Sequence, residues 1–214
     1  MPLTLVGGVR FSREETTVLT IVLDDIRAVK RNDPAAHGWL EVLLCHTPLH
    51  AILMYRFAHW LHTRLGLAVL GRLLSVWARF WTGVEIHPGA RIGRGFFIDH
   101  GAGVVIGETA QVGDHCVMFH NVTLGGTGKY DGQRHPVVGD HVFIGTNAIL
   151  LGPIRVGDHA KIGANAFVIN HDVPAHATVV GTPARIVKLR GERVDEELPR
   201  MCPPADAVAV DLTA

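Results

Sequence analysis

Two spacings of apolar residues divide the chain. Up to about residue 82 the spacing is helical: Val18, Leu19, Val22, Leu23, Ile26 and Val29 recur at intervals of three and four, the mark of one buried helix face. Ser12-Arg13-Glu14-Glu15 reads as a capping box that opens this helix, because a Ser hydroxyl and a Glu carboxylate three residues on satisfy each other's free N–H groups. Asn32-Asp33-Pro34 closes it, and Asp33 is placed to cap the next helix with Pro34 at the first position, where a missing N–H costs nothing. Thr47-Pro48 repeats that signal ahead of Leu49 to Leu61, and Leu67 to Trp81 has the same character.

From Ile86 onward the period is six. Aliphatic anchors stand at Ile86, Ile92, Ile98, Ile106, Val112, Met118, Leu124, Val138, Ile144, Leu150, Val156, Ile162, Val168, Val180 and Ile186, with Pro174 in the one vacant slot. Nine of these 15 anchors are followed directly by Gly, and small or β-branched residues such as Ala90, Ala102, Ala110, Cys116, Thr178 and Ala184 stand four positions after the slot. A unit this short cannot bury its own face and must stack on its neighbours. Three six-residue sides close an 18-residue triangular coil, anchors inward and glycines at corners that need positive φ or close packing. The expected fold is α+β: an α-helical region (1–82), a parallel β-helix (83–187) and a tail (188–214).

The register breaks twice. Between Ile98 and Ile106 the step is eight, so two residues bulge near Asp99-His100-Gly101, and between Leu124 and Val138 it is 14, which expels a loop within Gly126 to Pro136. Insertions in a solenoid leave its surface, where binding faces are built.

Composition removes several functions. Lys+Arg and Asp+Glu both number 20, so no basic footprint exists for nucleic acid or an anionic membrane. No apolar run is long enough to span a bilayer and no leader pattern opens the chain, so a soluble protein is expected. Cys45, Cys116 and Cys202 lie far apart without a CxxC pair, which indicates neither a disulfide framework nor a zinc site and suits the cytoplasm. The 24 glycines in 214 residues follow from the hexad repeat, and every tryptophan falls in the helical part, because a narrow prism is filled by aliphatic and small side chains.

Asp33-Pro34, Glu85-Ile86-His87-Pro88, Asp99-His100-Gly101, Gly107-Glu108-Thr109, Thr123 to Lys129, Arg134-His135-Pro136 and Gly181 to Arg185 together resemble bacterial serine O-acetyltransferases of the hexapeptide-repeat superfamily. The resemblance spans roughly residues 20 to 187 and implies a left-handed β-helix. It also implies acetyl transfer from acetyl-CoA to the L-serine hydroxyl, giving O-acetyl-L-serine for cysteine biosynthesis. A serine hydroxyl is a weak nucleophile, so attack on a thioester needs a base. The resemblance puts that base at His100. Glu85 and Asp99 compete to orient it: Glu85 precedes His100 by 15 residues, nearly one coil, while an extended chain turns Asp99 away from its neighbour. The resemblance gives Asp99, with Asp33, to the serine pocket; the plainer readings are a corner hydrogen bond and a helix cap. Arg134, a planar fork suited to a carboxylate, and the adjoining His135 complete the pocket in this reading, the alternative being a solvated loop.

Gly125-Gly126-Thr127-Gly128-Lys129 is the implied acetyl-CoA segment, with Thr146 and Lys161 on later coils, although Lys161 alone reads equally as a solvated side chain. No metal is implied; His87, His115 and His120 lack the spacing of a β-helix zinc enzyme. The helical part is shorter than in the long members of the family, so a homotrimer is expected, a hexamer being the alternative. Docking to cysteine synthase is not implied, because the sequence ends at Ala214 without the terminal isoleucine many members carry.

Overall fold

A computed structural model describes residues 18–128, 130–201 and 208–209. Four helices, α1 (Val18–Asn32), α2 (Trp39–Cys45), α3 (Thr47–Arg64) and α4 (Ala68–Thr82), lead into a solenoid of two- and three-residue strands. The proposed capping box at residues 12–15 lies outside the described residues.

The first solenoid face stacks Glu85–Ile86, Val105–Ile106, Thr123–Gly125, Ile149–Leu151 and Phe167–Ile169 in parallel. The second stacks Arg91–Ile92, Gln111–Val112, Val137–Val138 and Arg155–Val156. The third runs from Phe97–Ile98 through Val117–Met118, Phe143–Ile144 and Lys161–Ile162 to Ala177–Val180, then continues antiparallel into the hairpin Arg185–Leu189 and Glu192–Glu197. Anchors in register fill the interior: Ile98, Val112, Leu124, Val138, Ile144, Leu150 and Ile162 are all fully buried. Phe96 joins them, so the prism does admit one aromatic ring.

The hexad fails at one point. Val173 and Val179 are buried, whereas Val180 is 40% exposed, so the register slips by one residue after Val168 and Val173, not the Pro174 position, fills the slot. Val173 bridges Val156 and Val179 pairs with Ile162. The small-residue slot moves with it to Ala177, and at the earlier bulge Val104 replaces Ala102. Ile186 is buried, but on the antiparallel hairpin and not in a coil.

Glycine serves close packing more than corner geometry. A Cβ on Gly113 would lie 2.3 Å from Asp140 Oδ1 and 2.6 Å from the backbone of Gly139 on the next coil. The left-handed corners are taken mainly by His and Asn, among them His115, Asn121, His141, Asn147, His159 and Asn165, residues that tolerate this region better than most.

The helices depart further from expectation. On α1 Leu19 is 66% exposed and Leu23 39%, while Asp25, Ala28 and Val29 are buried. Asp25 accepts from Arg56 Nε at 3.0 Å and from the Phe96 N–H at 3.1 Å, and Arg56 also donates to the carbonyls of Ile92 and Gly93. This buried pair, together with Tyr55 Oη on Ala90 O, Ser75 Oγ on Ile86 O and His59 on Pro88 O, ties the helices to the first coil. Asp33 does not cap a helix: α2 begins at Trp39, and Asp33 Oδ1 accepts from Ala35 N–H at 2.8 Å in a turn. His46 caps α3, accepting from Leu49 N–H, so Thr47 is the first helical residue rather than the cap.

Candidate functional site

Each coil carries its residues past three edges, and the solenoid's candidate residues fall on two of them and on the first and third faces. At the third-to-first edge the two-residue insertion lifts Asp99 and His100 out of the coil. His100 takes φ +60° and Gly101 φ +73°. A Cβ on Gly101 would meet Val84 Cγ2 at 2.9 Å and Pro48 Cγ at 3.1 Å, so only glycine lets the bulge lie against the start of α3.

The bulge meets the turn after α1 around His46. Burial pulls the His46 imidazole below its ordinary range, while Asp33 and Asp99 both act to raise it, which places both carboxylates near this ring. His46 also packs 5.7 Å from the Phe97 ring. His100 is open to solvent, its side chain 73% exposed, with Asp99 Oδ1 3.8 Å from Nε2 and the His120 ring edge-on at 5.8 Å. Glu85 stands apart from this group: its strand pairs with Val105, and its carboxylate is bound by Arg79 at 2.9 Å.

At the first-to-second edge the long insertion emerges within residues 126–136 and is fixed by a single threonine. Thr109 Oγ1 accepts from the N–H groups of Arg134 (3.0 Å) and His135 (3.1 Å) and lies 2.9 Å from His135 Nδ1, which also accepts from Thr109 N–H. Both lone pairs of the hydroxyl are therefore filled, its proton goes to Nδ1, and the imidazole is the Nε2–H tautomer. Burial, aided by the neighbouring Arg134 cation, pushes His135 down to about 4, so it is neutral. Arg134 donates from Nη2 to one carboxylate oxygen of Glu108, whose carboxyl is held below the usual range by that contact. The strand Tyr130–Asp131 within the loop pairs antiparallel with Val208–Ala209.

On the same edge, Thr127 Oγ1 and Asn170 Oδ1 are buried without a hydrogen-bond partner, and both approach Gly152, at 3.4 Å (Thr127 Cγ2) and 3.7 Å (Asn170 Oδ1) from the position of an added Cβ. They are fitted to a ligand bearing amide or hydroxyl groups. Lys129 lies outside the described residues. Thr146 stands at the third-to-first edge and Lys161 on the third face, away from the glycine-rich segment. His87, His115 and His120 occupy three different edges, and among the described residues no group of three or more His, Cys, Asp or Glu is arranged to hold a metal ion. No helix among them is long and apolar enough to cross a membrane.

The structure thus joins Asp33, Asp99 and His100 at one edge and Arg134 and His135 at another. Sequence reasoning missed His46, Thr109 and Asn170. Only Thr109 carried a signal, as a hydroxyl one coil away from the expelled loop.

Residues 135–170 match the bacterial transferase hexapeptide (six repeats) family. A serine acetyltransferase of Synechocystis is 57% identical over 178 residues, 83% of this chain and 71% of its own length. That of Bacillus subtilis is 52% identical over 175 residues, 82% of this chain and 80% of its own. Among solved structures, the serine acetyltransferase of Neisseria gonorrhoeae superposes with a TM-score of 0.79 at 42% identity, covering 85% of this chain and 70% of that one. The Brucella abortus serine acetyltransferase in complex with coenzyme A gives 0.76 at 42% identity, over 82% and 68%.

Proposed function

The chain belongs to the serine acetyltransferase family, and from that premise we propose how its residues share the reaction between two copies. That reaction moves the acetyl group of acetyl-CoA onto the hydroxyl of L-serine.

His100 takes the hydroxyl proton as the serine oxygen attacks the thioester carbonyl, and the same imidazolium returns a proton to the departing CoA thiolate. Asp99, 3.8 Å from Nε2, is the carboxylate near enough to stabilise the imidazolium, because Glu85 is engaged by Arg79. Asp33 and Asp99 together present negative charge to the serine ammonium. Arg134 turns its fork from Glu108 to the serine carboxylate, and the neutral His135 offers a fixed Nε2–H donor.

The observation that carries this reading is topological. His100 follows a third-face strand and Arg134 follows a first-face strand, so a single chain keeps them on different edges. A cyclic assembly sets one edge of each copy against a different edge of the next. We assign His100, Asp33 and Asp99 to one copy and Arg134 and His135 to its neighbour in a homotrimer. Acetyl-CoA then lies between them, its pantetheine amides reaching Thr127 and Asn170 of one copy and Thr146 and Lys161 of the other. A Neisseria gonorrhoeae relative has been solved with serine and a Brucella abortus relative with coenzyme A, in keeping with both ligands.

The test is complementation. His100→Ala and Arg134→Ala each abolish serine-dependent CoA release when present in every copy. Mixed trimers from equal amounts of the two regain about a quarter of the wild-type rate, the share of neighbouring pairs in which both residues are intact. No recovery places the whole site in one chain. Release with serine but not homoserine or galactosides separates this reading from a sugar acetyltransferase.

A further inference from the structure

The insertion that lifts His100 out of its coil leaves a second imidazole on the coil beneath it. Counting on from the pairing of Phe97–Ile98 with Val117–Met118, Asp99 matches Phe119 and His100 matches His120. The two rings meet edge to face, with centroids 5.8 Å apart and planes at 76°. The backbone around His120 is held on both sides. Phe119 N–H donates to Ile144 O at 3.0 Å, Asn121 N–H to Ala102 O at 2.8 Å, and His120 O accepts from Asn147 N–H at 3.1 Å. Asn121 turns the corner at φ +55°, and its Oδ1 fills the space that a Cβ on Gly103 would need.

The two ring nitrogens of His120 differ in surroundings. Nδ1 is buried without a hydrogen-bond partner, whereas Nε2 is open and makes no hydrogen bond among the described residues. A neutral imidazole carries one N–H, and a buried N–H without an acceptor is a costlier orphan than a bare lone pair. The proton therefore sits on Nε2, and the ring presents a donor beside the proposed base. Along this edge the order is His100, His120, Thr146, each one coil, or about 5 Å, beyond the last. A thioester laid from Thr146 towards His100 crosses His120.

We propose that His120 is a catalytic residue whose Nε2–H receives the charge that builds on the thioester carbonyl oxygen. The inference rests on the acetyl transfer at His100 proposed above. As the serine oxygen bonds to the carbonyl carbon, the π pair moves onto the carbonyl oxygen and the hydroxyl proton goes to His100. The Nε2–H of His120 hydrogen-bonds that oxyanion and keeps its own proton throughout. The pair then re-forms the carbonyl, the C–S bond breaks, and the thiolate takes the proton from His100. Such a donor is bound more strongly by the transition state than by the substrate, so its removal shows in kcat and hardly in KM.

Three substitutions separate a donor from a packed ring. His120→Phe keeps an edge-on ring without the donor, His120→Ala removes both, and His120→Gln supplies an amide N–H. His120→Phe and His120→Ala lower kcat about 100-fold, the cost of one oxyanion donor, with KM for serine and for acetyl-CoA within threefold; His120→Gln regains at least tenfold of that loss. At about pH 8, above the ordinary imidazole range, nitrogen NMR of histidine-labelled wild type shows His120, assigned by its loss in His120→Gln, as the Nε2–H tautomer. That signal needs neither serine nor turnover. If acetyl-CoA gives no serine-dependent CoA release, slow acetyl transfer to water passes through the same oxyanion and ranks the variants in the same order, so failure of serine as acceptor is distinct from failure of His120. A kcat near wild type in His120→Phe, equal losses in His120→Phe and His120→Gln, or an Nδ1–H tautomer overturns the proposal.

Discussion

Thr109→Val removes one hydroxyl and keeps the shape of the side chain. In the wild type that oxygen accepts from the Arg134 and His135 N–H groups and gives its proton to His135 Nδ1. Valine leaves the two backbone donors without their acceptor, while His135 Nδ1 keeps only the Thr109 N–H. A buried donor stripped of its acceptor costs about 1–3 kcal/mol; the loop can turn partly to water, so about 2 kcal/mol in all is a fair value for holding Arg134 and His135 in place. Gln133 still clasps the Thr109 and His135 carbonyls, so the loop loosens without leaving. Serine binding must then supply the lost ordering, and KM for serine rises roughly 30-fold at 1.4 kcal/mol per decade. kcat falls much less, because His100 stands on a different edge. Initial rates with serine varied at saturating acetyl-CoA read the split, with Thr109→Ser, which keeps the hydroxyl, within about threefold of wild type. A wild-type KM in Thr109→Val, or equal damage in both variants, refutes the role of Thr109 as a positioning residue.

Acid should destabilise the protein before its carboxylates titrate. His135 and His87 both fall from the ordinary 6.5 to about 4 in the fold, chiefly through burial, so the unfolded chain takes up protons first as pH drops. Stability is complete above about pH 6.5 and declines towards pH 4, by roughly 3 kcal/mol for His135. A urea midpoint that stays level across that window contradicts the neutral imidazole, and His135→Gln should flatten the slope. Val179→Ala, in the core, should cost about 2 kcal/mol and about 4–8 °C in Tm, whereas Val180→Ala stays within about 0.5 kcal/mol. The reverse order in thermal melts would restore the unbroken hexad. Gly101→Ala, with a Cβ forced to 2.9 Å from Val84 and φ +73°, should lower both Tm and turnover by shifting the His100 bulge; wild-type values for both would show that the bulge yields freely.

The solenoid was legible because its cause is local and repeated. An inward side chain every six residues is needed on every coil, so most anchors kept their meaning, and both breaks in the count became the insertions that carry candidate chemistry. The single slip after Val168 was invisible because His171-Asp172-Val173-Pro174 offers two neighbouring apolar residues for one slot, and only pairing of Val173 with Val156 and Val179 with Ile162 decides between them. The helices were less readable for the opposite reason. α1 buries Asp25 and exposes Leu19, because the buried charge is matched by Arg56, 31 positions away, and by the Phe96 N–H on the first coil. Nothing in a helical wheel reports such a partner.

The same distinction explains the site. A motif list sets Asp33, Asp99, His100, Arg134 and His135 side by side, yet in a solenoid position along the chain decides which edge a residue occupies. Asp99 and His100 follow the strand Phe97–Ile98 and must emerge between the third and first faces; Arg134 follows Thr123–Gly125 and must emerge between the first and second. No rotamer change carries a side chain across a face whose interior is filled by Ile106, Leu124 and Leu150. Asp33 joins His100 only because the buried Asp25–Arg56 pair seats α1 on the first coil and brings the following turn to His46 beside Asp99. In the proposed assembly the chain supplies two half-sites, an anionic one with the proposed base His100 and one with the Arg134 guanidinium. The carboxylates of the first and the guanidinium of the second suit them to meet across an interface, and a zwitterionic substrate is the kind of molecule that fits between them.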